Sequence, residues 1–232
     1  MILTPKEPAF TFVLHEEKCS SIQCYTICSK IEAVSSAVYL GMVLDAKWSF
    51  AKHVDKTVTT LRKVMPKLYT MRKLLTVKNK KVIYDAWIKS HLLYGIAVYG
   101  TAKEKELKRL QKIQNKLVKI LFANKYCFKR KQLFIKYQVL NIKQLFTYWI
   151  LIKYFFEMKD KKHQLELKKN YPTTSTNFLP VLTTNKFGEK RKDYFVPCTF
   201  NTLPGNFWSI QNYKNLKLNI RKWLSSQNGT LT

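Results

Sequence analysis

The sequence has few acidic residues and few glycines. Only 14 of its 232 residues are Asp or Glu, and the five aspartates stand apart, with no Asp-Asp or Asp-x-Asp pair. Two-metal nucleotidyl transfer requires carboxylates that converge on a pair of cations. The sequence therefore predicts no catalytic residue and no metal site, and we expect Asp45 to be a turn or capping residue. With six glycines, it also contains no glycine-rich phosphate loop.

Long apolar runs and a leader sequence are also missing. The most apolar stretch, Leu145 to Phe156, contains Lys153 and is shorter than the roughly 20 residues that a membrane span needs, so we interpret it as a core helix. The chain opens MILTPKEPAF, which lacks the charged and apolar regions of a signal peptide. We therefore expect an intracellular protein, in the nucleus or cytoplasm, that is not secreted and has no membrane partner.

The five cysteines form an odd set, which favours free thiols in a reducing compartment. Cys19, Cys24 and Cys28, with His15 before them, have the ligand count for zinc, but their spacing matches none of the usual paired patterns. A zinc site there stays open as the less favoured alternative. The histidines show no paired ligand spacing, and we interpret His53 as a packed or half-exposed helix residue.

Lysine and aromatic side chains are abundant. The 42 Lys and Arg give a formal charge of +28 at pH 7, while 14% of the residues are aromatic and 46% are hydrophobic. This composition predicts a folded domain with a core, because a disordered basic tail lacks apolar surface. The charge favours a polyanionic partner, since clustered Lys and Arg release counterions from a phosphate backbone. The alternative is that the lysine excess reflects an AT-rich gene without selection for binding.

The apolar pattern begins with a short β part. Apolar runs at Phe10–Leu14, Ile27–Ile31 and Val38–Leu44 predict two or three strands. Gly41 lies inside the last run, where a glycine usually marks a bulge or a close approach of the backbone to another group. We therefore expect a partner to contact the chain near Gly41.

From Trp48 onward apolar residues recur every three or four positions, which predicts helices. We expect a first helix capped by Ser49 that runs to about Leu75 and is kinked or split at Pro66. The second and third helices are predicted from about Asn79 to Val98 and from Lys103 to Phe122. The short links between the three favour an antiparallel bundle.

The C-terminal half is predicted to mix helices and loops. Helices are expected at 129–139, 141–160 and 211–225, with loop and short strand beyond Lys169. The predicted fold class is thus α+β, mainly α, with short N-terminal antiparallel strands, a helical bundle and a mixed helix and loop C-terminal region.

Four blocks of the sequence occur in the order and at the spacing of a known family. They are YLGMVLD at 39–45, YGIAVYG at 94–100, LQKIQNKLVKIL at 110–121 and NTLP at 201–204. These blocks resemble the YLG-x-x-LD, YG-x-x-x-WG, LQ-x-x-QNK-x-x-R and N-x-LP signatures of reverse transcriptases from non-LTR retrotransposons, LINE-type elements nearest to the jockey-like groups. The resemblance covers most of residues 30–225. Tyr99 and Lys119 depart from it, because the family usually has Trp and Arg there, and lysine cannot form the bidentate contact of arginine.

The resemblance implies a right-hand polymerase. Residues 1–45 would be the end of the palm with the primer grip, 46–122 the helical thumb and 123–232 a post-thumb C-terminal region. The family's catalytic carboxylates, including a Phe/Tyr-Ala-Asp-Asp motif, precede the YLG segment. The chain is therefore expected to be an inactive fragment of an RNA-directed DNA polymerase, without the fingers and most of the palm, that binds no cofactor itself, whereas the parent polymerase would use Mg.

The resemblance also implies a nucleic-acid partner. In the family the YLG segment, here Tyr39, Leu40 and Gly41, is the primer grip that holds the 3′ end of the growing strand, and the thumb clasps the duplex. The expected partners are the RNA template, the RNA–DNA hybrid and the missing fingers and palm. The basic residues expected to contact phosphates are Lys63, Arg72, Lys112, Lys116 and Lys119. Two alternatives stay open, a stand-alone nucleic-acid-binding module without sequence preference and a non-functional remnant.

Overall fold

A computed structural model describes residues 2–4, 11–13, 34–122, 130–167, 177–180 and 188–226 of the chain. The strands pair as two separate antiparallel two-stranded sheets. They are β1 (Ile2–Thr4) with β2 (Thr11–Val13), and β3 (Ser36–Tyr39) with β4 (Met42–Asp45). The predicted strand at Phe10–Leu14 is confirmed by β2, whereas Ile27–Ile31 and the zinc alternative at Cys19, Cys24 and Cys28 lie outside the described residues.

Helices make up most of the described chain, which confirms the predicted fold class. The helices and helical segments are, in chain order, α1 (Ala51–Met71), α2 (Val77–Ile83), a π-helical segment (Tyr84–Lys89), α3 (Ser90–Leu93), α4 (Ile96–Tyr99), α5 (Glu104–Phe122), α6 (Arg130–Lys136), α7 (Ile142–Leu167), a 3-10 turn (Gly188–Lys190), α8 (Lys192–Asn201), a second 3-10 turn (Gly205–Phe207) and α9 (Tyr213–Ser226).

The run Val38–Leu44 is a hairpin rather than part of one strand, so of the two alternatives predicted at Gly41, a bulge or a close approach, the bulge is wrong. β3 and β4 pair with Tyr39 opposite Met42, which leaves Leu40 and Gly41 as the two turn residues. Both have positive φ, 46° and 75° respectively. A two-residue turn with two positive φ values matches the twist of the flanking strands. The apolar pattern did not show the reversal, because the turn is itself partly apolar.

The side chain of Asp45 supplies hydrogen-bond acceptors for backbone N–H groups just before the first helix. The Asp45 carboxylate accepts hydrogen bonds from the backbone N–H groups of Ser49 (2.9 Å) and Phe50 (2.7 Å) and from the Ser49 hydroxyl (2.7 Å). This confirms the predicted capping role of Asp45. The N-cap position belongs to Phe50 rather than to the predicted Ser49.

The sequence predicted a kink or a split of the first helix at Pro66, and the split is wrong, because α1 continues through this residue to Met71. Pro66 lies on the exposed side of the helix. A proline removes one backbone hydrogen bond, and buried side chains before and after Pro66 pack both halves of the helix against the core. Of these side chains, Leu61 and Leu68 are fully buried.

The predicted second helix is broken into several pieces. After the π-helical segment and α3, the chain turns at Tyr94 and Gly95 before α4. Gly95 has φ +69°, and a Cβ atom there would lie 2.7 Å from Cε of Met42. Glycine is therefore required, because β4 packs directly against this turn. Gly100 allows another close approach, since its Cβ would lie 2.6 Å from Cε2 of Phe146 in α7.

The α1, α2–α3 and α5 helices form the predicted three-helix bundle, with α1 and α5 parallel and the middle segment antiparallel to both. Near the start of both outer helices, Asp55 forms an ion pair with Arg109. At the other end, the Tyr84 ring lies 6.2 Å from the ring of Phe122. The apolar face of α5 is buried in the bundle, as predicted.

The C-terminal half packs around α7. The stretch Leu145 to Phe156 is inside this helix, and Leu145, Leu151 and Phe155 are buried, which confirms a core helix. The structure adds α8, which the sequence pattern predicted as loop or strand. Its residues KDYFVPCTFN include β-branched and aromatic types and a proline, all of low helix propensity. Packing overrides that propensity, because Val196 and Phe200 are buried.

Candidate nucleic-acid interface

The tip of the β3–β4 hairpin presents apolar and aromatic side chains to solvent. Val38, Tyr39 and Leu40 are 69%, 65% and 74% exposed. Two side chains below the tip hold its backbone, since the Tyr94 hydroxyl donates to the carbonyl of Leu40 and Lys56 Nζ donates to the carbonyl of Gly41 at 2.9 Å. The tip is therefore fixed while its side chains remain available for a partner.

Gly41 is required by this arrangement in two ways. Its φ of +75° is a conformation that other residues adopt only at a cost, and a Cβ would lie 3.0 Å from the Tyr94 hydroxyl. The close approach predicted at Gly41 is thus an approach of Tyr94 from the same chain. The YLG and YG blocks, 54 residues apart between Leu40 and Tyr94, meet at this point.

The base of the hairpin is anchored by His53. Its Nδ1 atom accepts the N–H of Val43 at 3.5 Å, and its ring centroid lies 5.4 Å from that of Tyr99. Burial, with a smaller effect of Lys56, lowers the pKa of His53 and keeps the ring neutral. His53 is buried, which confirms its interpretation as a packed helix residue.

The carboxylate of Asp45 is ionised at neutral pH. Burial opposes its ionisation, but the hydrogen bonds from Ser49 and Phe50 outweigh burial and lower the pKa of Asp45. The ionised carboxylate of Asp45 therefore stabilises the turn and the start of α1 through the hydrogen bonds that it accepts. Among the described residues, no group of three or more His, Cys, Asp or Glu is placed to hold a metal ion.

One face of α5 is a row of lysines. We define the α5 lysine row as its five exposed members, Lys105, Lys108, Lys112, Lys116 and Lys119. Spacings of three and four keep them on one side of the helix over about 21 Å. Lys108 lies 3.7 Å from Glu104, while Lys112, Lys116 and Lys119 form no ion pair with the described residues. The row therefore contains three of the predicted sites as uncompensated surface charges.

A second group of cations follows the exposed face of α1. Lys52, Lys56, Lys63 and Lys67 are exposed and recur at helical spacing. The first two reach the hairpin, since Lys52 Nζ donates to the Ser36 hydroxyl at 2.8 Å and Lys56 to Gly41 as above. The same face continues to Lys63, so this predicted site lies on a path that leads away from the hairpin tip.

Arg72 lies apart from that path. It follows the last residue of α1, is half-buried, and its guanidinium carbon lies 4.8 Å from the centroid of the Tyr69 ring. Asp55 marks the other edge of the exposed face of α1, because it pairs with Arg109 of α5.

The sequence prediction omitted Lys56 and Tyr94, which hold the hairpin tip. The signals available for them were the helical spacing from Lys56 to Lys63 and the YG block itself.

The remaining sequence blocks are parts of the scaffold. Gln114 is fully buried and donates from Nε2 to the Tyr84 hydroxyl (2.9 Å) and to the Leu140 carbonyl (2.7 Å). Gln111 accepts the N–H of Ile142 at the start of α7 (2.9 Å). The LQ-x-x-QNK block therefore joins α5 to α7, while its two lysines, Lys112 and Lys116, are exposed.

Asn201 of the NTLP block has a similar structural role. Its amide oxygen accepts the N–H of Phe178 and its amide nitrogen donates to the Phe178 carbonyl, both at 2.9 Å. Leu203, two residues later, is buried.

Within the described part of the chain, no helix is long and apolar enough to cross a membrane.

The described chain thus combines a fixed apolar tip, adjacent cations and a row of lysines on parallel helices. Comparisons with known proteins give three curated relatives among RNA-directed DNA polymerases of transposable elements. The chain is 36% identical over 90 residues to “Probable RNA-directed DNA polymerase from transposon X-element” of Drosophila melanogaster, covering 38% of this chain and 10% of that protein.

Two further relatives are of the same kind. They are “Probable RNA-directed DNA polymerase from transposon BS” of Drosophila melanogaster, 27% identical over 39% of this chain and 10% of that protein, and “RNA-directed DNA polymerase from mobile element jockey” of Drosophila funebris, 31% identical over 35% of this chain and 9% of that protein. No protein-family model matches the chain, and no solved structure does.

These relatives confirm the resemblance noted in the sequence. Over somewhat more than a third of its length, the chain is related to RNA-directed DNA polymerases of transposons. More particularly, the relatives are non-LTR retrotransposon polymerases, including that of jockey. The aligned stretch spans about a tenth of each relative's length.

Proposed function

We propose that this chain is the part of a non-LTR reverse transcriptase that holds the template–primer duplex, with the hairpin tip at the primer strand and the α5 lysine row along the phosphates. The observation that carries the proposal is the fixed, exposed tip beside a path of lysines. Tyr39 and Leu40 are exposed, while Lys56 supports Gly41 from below. The three relatives are RNA-directed DNA polymerases by name, which supports a nucleic acid as the partner.

The chemistry of these groups favours binding without sequence recognition. Lysines on helix surfaces neutralise phosphates and carry no base information. An RNA–DNA hybrid is held through its shape and backbone, so flexible lysines are sufficient. Tyr39 and Leu40 offer apolar surface to the sugars and bases of the primer end, and Gly41 keeps the backbone of the turn narrow. The chain would therefore position a duplex for carboxylates and Mg supplied by the parent polymerase.

The proposal is tested by measuring the affinity of the full chain for a 16-base-pair RNA–DNA hybrid by fluorescence anisotropy. The triple variant Lys112→Gln, Lys116→Gln, Lys119→Gln removes three charges from the α5 lysine row. Loss of three phosphate contacts should weaken binding about five-hundredfold at 0.1 M salt and should make the log–log salt dependence shallower by about 2.7 units, at about 0.9 per contact with a duplex.

A matched control removes three charges elsewhere. Lys214, Lys217 and Lys222 are exposed on α9, and their replacement by Gln gives the same net charge as the first variant. We expect only a small loss of affinity, because screening confines surface charges to a range of about 10 Å. Equal losses in both triple variants would show binding by net charge alone, which is the behaviour of a remnant with an AT-rich composition and would overturn the proposal.

A further inference from the structure

A second basic cluster lies where the π-helical segment meets the C-terminal helix. Among the described residues, two cations contact the carboxylate of Asp85, and a third, Lys81, is close enough to interact electrostatically with all three. Lys89 Nζ lies 3.6 Å from Asp85 Oδ1, and a terminal nitrogen of Arg221 lies 3.5 Å from the same oxygen. Lys81, one turn before Asp85, extends along the ring of Tyr84, with 5.2 Å between Nζ and the ring centroid, and uses one of its three donors on the carbonyl of Gln138 at 3.3 Å. Three positive charges and one negative charge leave a local excess of +2.

The cluster is partly enclosed by the fold. The side chains of Lys89, Arg221 and Asp85 keep 18%, 25% and 35% of their exposure. The Nε atom of Arg221 is buried without a hydrogen-bond partner. Both contacts to Asp85 are longer than the 2.7–3.2 Å of a normal N–H···O bond. The cations are therefore drawn together by the fold, and the one carboxylate among them leaves donor capacity unused.

The excess of positive charge in the cluster also affects the pKa values of its lysines. Burial lowers the pKa of Lys81 to about 8, helped by Arg221 and Lys89 and opposed by Asp85. The pKa of Lys89 is lowered as well, by burial first and by Arg221 second. On the side of α7, burial raises the pKa of the half-buried Tyr148, while the charge of Arg221 acts to lower it and that of Asp85 to raise it. A second anion beside Asp85 would relieve the repulsion among these groups.

We propose that Lys81, Lys89 and Arg221 form a binding site for a tetrahedral oxyanion of the phosphate type. Such an anion has several acceptor oxygens, which suits the fork of an arginine and two ammonium groups. The oxyanion can be a free ion or a phosphate of a nucleic-acid backbone, since both present the same group. The site is on α2, the π-helical segment and α9, and it is separate from the hairpin tip and the α5 lysine row.

Sulfate is the probe, because its charge does not change near neutral pH. The readout is the side-chain Nε–H signal of Arg221 in a nitrogen-resolved NMR spectrum of the full chain, which contains six arginines. Sulfate should shift the Arg221 signal saturably, and chloride at equal ionic strength should not. Lys89→Gln should weaken sulfate binding about tenfold. Lys222→Gln, an exposed neighbour of Arg221, should change it less than twofold.

Two further measurements separate the proposed site from a structural ion pair. Asp85→Asn removes the competing negative charge, so it should strengthen sulfate binding about tenfold. Sulfate affinity should also fall as the pH rises from 7 to 9, because Lys81 loses its proton near pH 8, and this decline should be absent in Lys81→Gln. An Arg221 signal that responds to chloride as it does to sulfate, or equal affinities of Lys89→Gln and Lys222→Gln, would overturn the proposal.

The source of the oxyanion is decided by competition. If the RNA–DNA hybrid displaces sulfate from Arg221, the natural ligand is a backbone phosphate, and this part of the inference rests on the proposed function. If sulfate and hybrid bind independently, the ligand is a free oxyanion. The two proposals can fail separately, because the Gln variants of the α5 lysine row test hybrid binding while Arg221 reports sulfate.

Discussion

Replacing Gly95 by alanine should loosen the contact between the turn before α4 and the hairpin. Gly95 has φ +69°, and a Cβ would lie 2.7 Å from Cε of Met42. The left-handed conformation costs an alanine about 1–2 kcal/mol. Forcing a methyl group against packed atoms costs about 1–3 kcal/mol more. Gly95→Ala should therefore lower the free energy of unfolding by about 2–5 kcal/mol, measured by urea denaturation of the full chain.

Two controls divide that loss into its causes. Gly205→Ala places a Cβ in open space at an ordinary φ, so its unfolding free energy should change by no more than about 0.5 kcal/mol. In a double-mutant cycle, Met42→Ala should relieve the packing share of the Gly95→Ala loss and leave the conformational share. A Gly95→Ala protein as stable as Gly205→Ala would refute the placement of Met42 against this turn.

Three other substitutions test parts of the scaffold and its charges. Asp45→Ala removes the acceptor for two N–H groups at the start of α1 and should lower the unfolding free energy by about 1–2 kcal/mol. Because the folded-state pKa of Asp45 is lowered, the wild type should lose this advantage below about pH 4; a difference between the two proteins that does not shrink in acid would contradict it. Gln114→Leu leaves the Tyr84 hydroxyl and the Leu140 carbonyl without their donor and should cost about 2–3 kcal/mol in urea denaturation, whereas a neutral effect would show that the buried amide contributes nothing. The pKa of Lys81 is lowered to about 8 in the folded protein, so the unfolded chain binds more protons above that pH and the wild type should gain stability from pH 8 to pH 10; Lys81→Met should lack that gain, and parallel pH profiles of the two proteins would be the contrary result.

The sequence was sufficient for the parts of the fold that have a strong local pattern. The third bundle helix was predicted at Lys103 to Phe122 and observed as α5, because its apolar residues recur at regular helical spacing. The capping role of Asp45 followed from its position between an apolar segment and a helix. The lysines of α5 could be placed on its outer face for the same reason that the leucines could be placed inside.

The errors arose where a distant contact decides the local conformation. The break at Gly95 depends on Met42, which is far from it in the sequence. The helix α8 forms against its local propensity because Phe195 and Val196 pack on other parts of the chain, with the Phe195 ring 5.5 Å from that of Phe146. No periodic pattern contains that information.

In the candidate site too, some residues were identified from the sequence, whereas the contacts that position them required the structure. Tyr39 and Leu40 were singled out through the YLG block, whereas the exposure of their side chains and the hydrogen bond from Tyr94 that fixes the tip required coordinates. Gln114 was recognised as part of a signature, and the structure shows it as a buried link between helices. A signature residue can thus serve the scaffold, while its neighbours Lys112 and Lys116 face the partner that we propose.

The most direct test of the proposed function is to map where a primer strand contacts the full chain. An RNA–DNA hybrid carrying a photoreactive nucleotide at the primer 3′ end, or several base pairs inside the duplex, is cross-linked to the protein, and the adducts are located by mass spectrometry. The proposal predicts adducts within 38–41 for the 3′-end probe and near Lys112 to Lys119 for the internal probe. The same peptides for both probes, or adducts spread evenly over all basic surfaces of the chain, would contradict it.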